Sequence, residues 1–183
     1  MHGPAARVNR RLLAVMLTAL TMLCAQQALA QEATEQVLKG AFIFNFAKFT
    51  EWPPDVLPSG APLTACVVNN ELVAEALTKN AKGRLIAGHV VVVMTRTEST
   101  VQGCHVLYVS SESAGTITRT VTSVGNSPIL TISDADEFAR AGGIAQLFIT
   151  GGKMRFKVSM ESVKRSRLQL SSRLLSLAEL VND

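Results

Sequence analysis

The sequence predicts an α/β fold: a single domain built on a mainly parallel sheet with an antiparallel edge hairpin and helices on both faces. Three observations predict it. Short runs rich in β-branched residues, at 63–68, 88–94, 104–109 and 129–132, are too brief for helices and are bounded by turn residues. Stretches with apolar residues at helical spacing alternate with them, and the runs themselves are apolar at nearly every position, as strands covered on both sides must be. Finally, Gly151-Gly152 separates the runs 144–149 and 154–158 at the spacing of a tight hairpin. With 183 residues, 48% of them apolar and 17% charged, the chain can bury a core of its own.

The first thirty residues stand outside that fold. Arg7, Arg10 and Arg11 precede the apolar run 12–24, no acidic residue interrupts, and Ala28-Leu29-Ala30 places small residues where a signal peptidase cuts. We therefore expect a signal peptide at 1–30, cleavage after Ala30, and an exported domain spanning 31–183. The run is shorter than the ~20 apolar residues a bilayer span needs. Removing three arginines and no acid lowers the formal net charge from +4 to +1, so the basic balance belongs to the leader. No zinc-finger, helix-turn-helix or ribonucleoprotein pattern is present, and nucleic acid is not an expected partner.

The first element of the domain is a helix over 35–50, apolar nearly all the way round through Val37, Leu38, Ala41, Phe42, Phe44, Phe46 and Phe49. Trp52-Pro53-Pro54 stops it. After the strand 63–68, Asn70 can cap a helix whose Val73, Ala76 and Leu77 share a face and which Gly83 ends. Strands at 88–94 and 104–109 follow, then a helix carrying Ala114, Ile117, Val121 and Val124 up to Gly125, then the strand 129–132. Asp134 and Glu137 read as a capping box for a short helix through 138–141. Beyond the hairpin, Ser159 can cap a short polar helix, and Ser171 or Ser172 can start a last one with Leu174, Leu177, Ala178 and Val181 as its stripe.

Chemistry is thinly represented. The exported part holds two histidines, His89 and His105, each beside a valine in a strand-like run and neither in a His-x-x-x-His pair, which fits surface or structural roles better than a metal site. Gly151-Gly152-Lys153 lacks the flanking residues of a phosphate loop, and no Gly-x-Ser-x-Gly elbow occurs. Helix capping explains Asp134, Asp136 and Glu137 more simply than a cation site does. We expect no catalytic residues, no metal, no cofactor and no enzymatic activity, with a hydrolase as the remote alternative. Cys66 and Cys104, exported together, either form the single intramolecular disulfide available, worth up to ~4 kcal/mol in the chain-entropy model, or pack as two small thiols.

Between Lys153 and Arg173, seven cations face Glu161 alone, with Met160, Val163, Leu168 and Leu170 interleaved. A solvated face is the simpler reading; the sharper one is a partner-binding patch of Met160, Val163, Arg165, Arg167, Leu168 and Leu170. Phe42, Phe44, Phe46 and Phe49 form a second candidate, for self-association as a homodimer, against full burial within the monomer. A small-ligand module is the alternative function, using Asn69, Thr95, Ser110 and Ser133 at the carboxyl ends of the strands.

Ordered stretches carry a resemblance beyond periodicity: 41–49 leading into Glu51-Trp52-Pro53, then 127–134 with Phe138 and Gly142-Gly143, then Arg155-Phe156, then 170–175. Together these resemble the YfiR-like family of periplasmic proteins, from about Val37 to Leu180. The resemblance implies an α/β domain that represses an inner-membrane diguanylate cyclase by binding its periplasmic sensor region, and that an outer-membrane lipoprotein sequesters. It also implies that Cys66 and Cys104 are a disulfide pair. The chain departs from the family pattern in having no second cysteine pair between Gly143 and Gly152, and in its Lys157-Val158-Ser159 stretch.

Overall fold

A computed structural model describes residues 34–96, 101–110 and 114–181. The expected signal peptide at 1–30 lies outside the described residues. The chain divides into two units, Met1–Gln36 and Val37–Asp183. Of the first, only 34–36 are described, at the start of a helix; the sheet, the cores and the sites below belong to the second.

That helix, α1, runs over 34–48. Thr50, expected within it, instead opens β1 (Thr50–Glu51), which pairs antiparallel with β9 (Gln169–Leu170) in a separate two-stranded sheet. Pro53 disfavours helix at Trp52 and the chain then turns through 54–56, so the short extended stretch before it takes a pairing partner in β9. Next come β2 (Leu63–Val68), α2 (Glu71–Ala81), β3 (Leu85–Ile86) and β4 (His89–Arg96). The Asn70 side chain caps α2 by accepting from the Val73 N–H at 3.0 Å, as its spacing predicted. β5 (Val106–Val109), α3 (Ala114–Val124) and β6 (Leu130–Ser133) follow. The hairpin of β7 (Ala145–Thr150) and β8 (Lys153–Ser159) then turns through Gly151 and Gly152, both at positive φ. Ser159 caps α4 (Met160–Arg165), and the chain ends in α5 (Ser172–Leu175) and β10 (Glu179–Val181).

Two expected helices are corrected. Residues 136–142 form consecutive turns after a bend at 135, with Glu137 at φ 60°. Asp134 is drawn away to an ion pair, Ser133 Oγ accepts from the Ala135 N–H at 3.1 Å, and burial of Phe138 fixes the path. The last helix stops after one turn, because 179–181 pair parallel with Lys157, Val158 and Ser159 and so satisfy the outer edge of β8.

The eight-stranded sheet has the order β10-β8-β7-β6-β5-β2-β4-β3. Pairs β2/β4, β2/β5, β5/β6 and β6/β7 are parallel; β7/β8 and β3/β4 are antiparallel. Alternate residues feed two cores, which is why these strands read as unbroken apolar runs. Leu63, Ala65, Val67, Tyr108 and Ile132 join Ile43, Phe44 and Phe46 of α1, Leu77 of α2, Val163 and Leu168. On the other face Cys66, Val68, Leu107 and Val109 join Cys104 and Val124 of α3. The Cys66–Cys104 disulfide is formed within that second core. Among the described residues no helix is long and apolar enough to cross a membrane.

Candidate docking surface

The cation-rich segment after the hairpin is held by local bonds. Ser159 Oγ accepts from the Ser162 N–H, Ser166 Oγ donates to the Ser162 carbonyl at 2.7 Å, and the turn after α4 places Arg167 at φ 55°. These constraints split the six patch residues. Val163 and Leu168, 3% and 4% exposed, are anchors of the core and are removed from any contact surface. Met160 and Leu170 are half-buried, and Arg165 and Arg167 are exposed. Both arginines are oriented: Arg165 Nη1 lies 2.7 Å from Glu161 and its Nη2 donates to Ser162 Oγ, while Arg167 reaches Asp55 at 3.3 Å. Of the six, what reaches solvent is therefore two braced guanidinium groups and two partly covered apolar side chains. Such a patch can receive a carboxylate-bearing, partly apolar surface.

The phenylalanines of α1 also separate. Phe44 and Phe46 are in the core, whereas Phe42 and Phe49 are half-buried. Phe156 of β8 meets Phe46 edge-on at 4.8 Å and Phe42 at 6.2 Å. A cavity of about 390 Å³ flanks β4, and another of about 290 Å³ opens between α1, β8 and α5. Phe42, Phe49, Phe156 and Leu177 line the second, with Arg173 at its side, 5.9 Å from the Phe49 ring. Sequence reasoning saw the phenylalanine cluster but not this cavity, since Phe156 and Arg173 reach it from over a hundred residues away.

The polar set at the carboxyl ends of the strands is dispersed in its availability. Asn69 and Thr95 are exposed, whereas Ser110 and Ser133 are buried, and Ser133 is spent on the turn after β6. His105 is likewise committed to structure. Its Nδ1 accepts from the Thr64 N–H at 3.0 Å, which leaves the proton on Nε2 to point at the Val56 carbonyl at 3.4 Å. Trp52 Nε1 donates to the His105 carbonyl at 3.2 Å, so the residue after the helix stop is tied to the sheet. His89 Nδ1 lies 2.7 Å from the Ala61 carbonyl. Among the described residues no group of three or more His, Cys, Asp and Glu side chains is arranged to hold a metal ion.

One charged residue went unnoticed in the sequence. Lys39, 5% exposed on α1, places Nζ 2.6 Å from Asp134 Oδ2, at the loop read above as a helix cap. The available signal was a lysine on the face of an almost wholly apolar helix.

Among solved structures, a conserved domain protein from Vibrio cholerae O1 biovar El Tor shares 15% identity at a TM-score of 0.46. That similarity covers 70% of this chain and 57% of the other, so this chain spans little over half of that protein's length. The model of a family described as YfiR/HmsC-like matches residues 36–179, which takes in nearly all of α1, strands β2 to β8 of the main sheet and the segment carrying Met160, Arg165 and Arg167. On that match the chain belongs to the YfiR/HmsC-like family.

Proposed function

We propose that this protein is a periplasmic regulator that represses an inner-membrane diguanylate cyclase by binding its periplasmic sensor region, lowering cyclic di-GMP output. The observation that carries the reading is the family match over 36–179. The braced pair Arg165 and Arg167 beside Met160 and Leu170 supports it as the contact surface, and the Cys66–Cys104 bridge suits an exported protein. An outer-membrane lipoprotein competing for the same surface would relieve the repression. Binding can silence the cyclase only through its preference for the inactive conformer, and moving that equilibrium from mostly active to mostly inactive takes roughly 5 kcal/mol. A few anchors at the centre of an interface can supply that much.

Deletion of the gene with measurement of cyclic di-GMP tests the reading. A rise reversed by an exported copy, but not by one lacking residues 1–30, is the expected result; no change on deletion overturns it. The docking surface is tested by the same assay with Met160→Glu and Arg167→Glu together, which should restore at least most of the deletion phenotype while the melting temperature holds.

A second reading, a periplasmic small-ligand module, is favoured by the cavity between Phe42, Phe49 and Phe156. Its aromatic walls and the Arg173 guanidinium suit a small ligand with an apolar body and an anionic group. A saturable rise in melting temperature with such a compound, lost in Arg173→Glu, would establish it.

A further inference from the structure

The geometry points to a second docking site at the far end of the strand order from α4: the outer edge of β4 takes up an extended, acidic segment of a partner protein as an added strand. β4 is bonded to β2 without interruption from Val91 to Arg96. On its other side β3 pairs only with His89 and Val90, so among the described residues nothing pairs the outer edge of 91–96. Edge strands are commonly guarded by lysine, proline or a bulge. The edge 91–96 has none of these, and its one charge is Arg96 at the end.

A cleft runs beside this edge. Val91 and Val93 form its floor, Ala81 and Leu85 its walls, and Lys82 and Arg84 its rim; among the described residues that line it none is acidic. An added strand sends alternate side chains to one face, so it would lay an apolar residue over Val91 and Val93 while the edge supplies main-chain hydrogen bonds. The rim then asks for a carboxylate at the end of that segment.

A second copy of this chain fits less well. Antiparallel pairing of two β4 edges centred on Val93 sets Val92 against Met94 and Val91 against Thr95, which is acceptable. The next pair brings Arg96 of the second copy beside Val90, at the Lys82 and Arg84 end, where like charges repel. Moving the register by one residue turns the side chains to the wrong faces.

The test uses the full exported chain and the probe fluorescein-Glu-Thr-Val-Thr-Val-Thr-Glu-amide, labelled at its amino terminus so that glutamates and valines share one face, with a control in which lysine replaces both glutamates. Anisotropy gives the affinity and hydrogen exchange gives the location. The acidic probe should bind and slow exchange at 91–96, and the lysine control should bind at least tenfold more weakly. Lys82→Glu with Arg84→Glu should weaken the acidic probe at least tenfold. Because Arg84 also stacks 4.3 Å over the Phe44 ring, Lys82→Glu alone serves as the variant that leaves that contact intact, with a weakening of severalfold expected. Absence of binding, equal affinity for the two probes, or protection elsewhere with 91–96 unchanged would overturn the proposal. Concentration-dependent protection of 91–96 without probe would overturn it in favour of a second copy.

Discussion

An ammonium group taken out of water costs several kcal/mol unless a counter-charge stands beside it, and Lys39 meets that condition through Asp134. Removing one partner leaves the other charge in a place built for two. Lys39→Ala should therefore destabilise the fold by ~3 kcal/mol in urea melts, and Asp134→Ala by a similar amount, with the double variant costing much less than their sum. His105 governs a different condition. Desolvation holds its imidazole below the ordinary histidine value of 6.5; the Val56 carbonyl works against this shift and His89 with it. A second proton would have to enter at Nδ1, which already accepts from Thr64. Because the folded group binds its proton at lower pH than the unfolded one, the contribution to stability is complete above 6.5 and drains away as pH falls below it, through the folded value. Urea midpoints between pH 7.5 and 5 should fall for the native chain and change less for His105→Asn. These roles were partly legible: the sequence marked His105 as structural or surface rather than metal-binding, but Lys39 acquires meaning only once a residue ninety-five positions away lies beside it.

Elements constrain one another through close approach. At Gly40 a Cβ would lie 2.7 Å from both the Ala76 Cβ and the Leu77 backbone nitrogen, so α1 and α2 touch where only glycine fits. On helix propensity alone Gly40→Ala would stabilise α1 by up to ~1 kcal/mol. The clash is with backbone, which cannot swing aside, and we expect a net loss of ~2 kcal/mol on thermal melting. The strands β2, β5 and β6 and the helices α2 and α3 lie within a residue or two of where their patterns put them, because period, caps and stop signals agreed locally. Residues 134–141 and 176–181 did not follow their patterns. A short amphipathic stretch is decided by what it meets, and there a buried Phe138 and an unsatisfied strand edge outweigh capping and apolar spacing.

Across the whole molecule, the Cys66–Cys104 bridge ties β2 to the approach to β5 within the core that includes Val124 of α3. Reduction, or Cys66→Ser with Cys104→Ser, should lower stability by up to ~4 kcal/mol, read as a fall in melting temperature with and without reductant. If the proposed docking surface is right, such a change should reduce the amount of folded protein without altering partner affinity per folded molecule, since Met160 packs on the other core and Arg165 and Arg167 are held by Glu161, Ser162 and Asp55. The sequence by itself determined the fold class, most strand positions, the hairpin at Gly151-Gly152 and a cationic segment around α4, because each depends on residues close together along the chain. Only the tertiary structure decided that Val163 and Leu168 face inward while Arg165 and Arg167 face out, that Lys39 meets Asp134, and that among the described residues nothing pairs the outer edge of β4 beyond Val90. Those outcomes depend on which distant surfaces come together, and burial, charge pairing and strand order are properties of that assembly, which a local pattern such as the lone lysine on α1 does not fix.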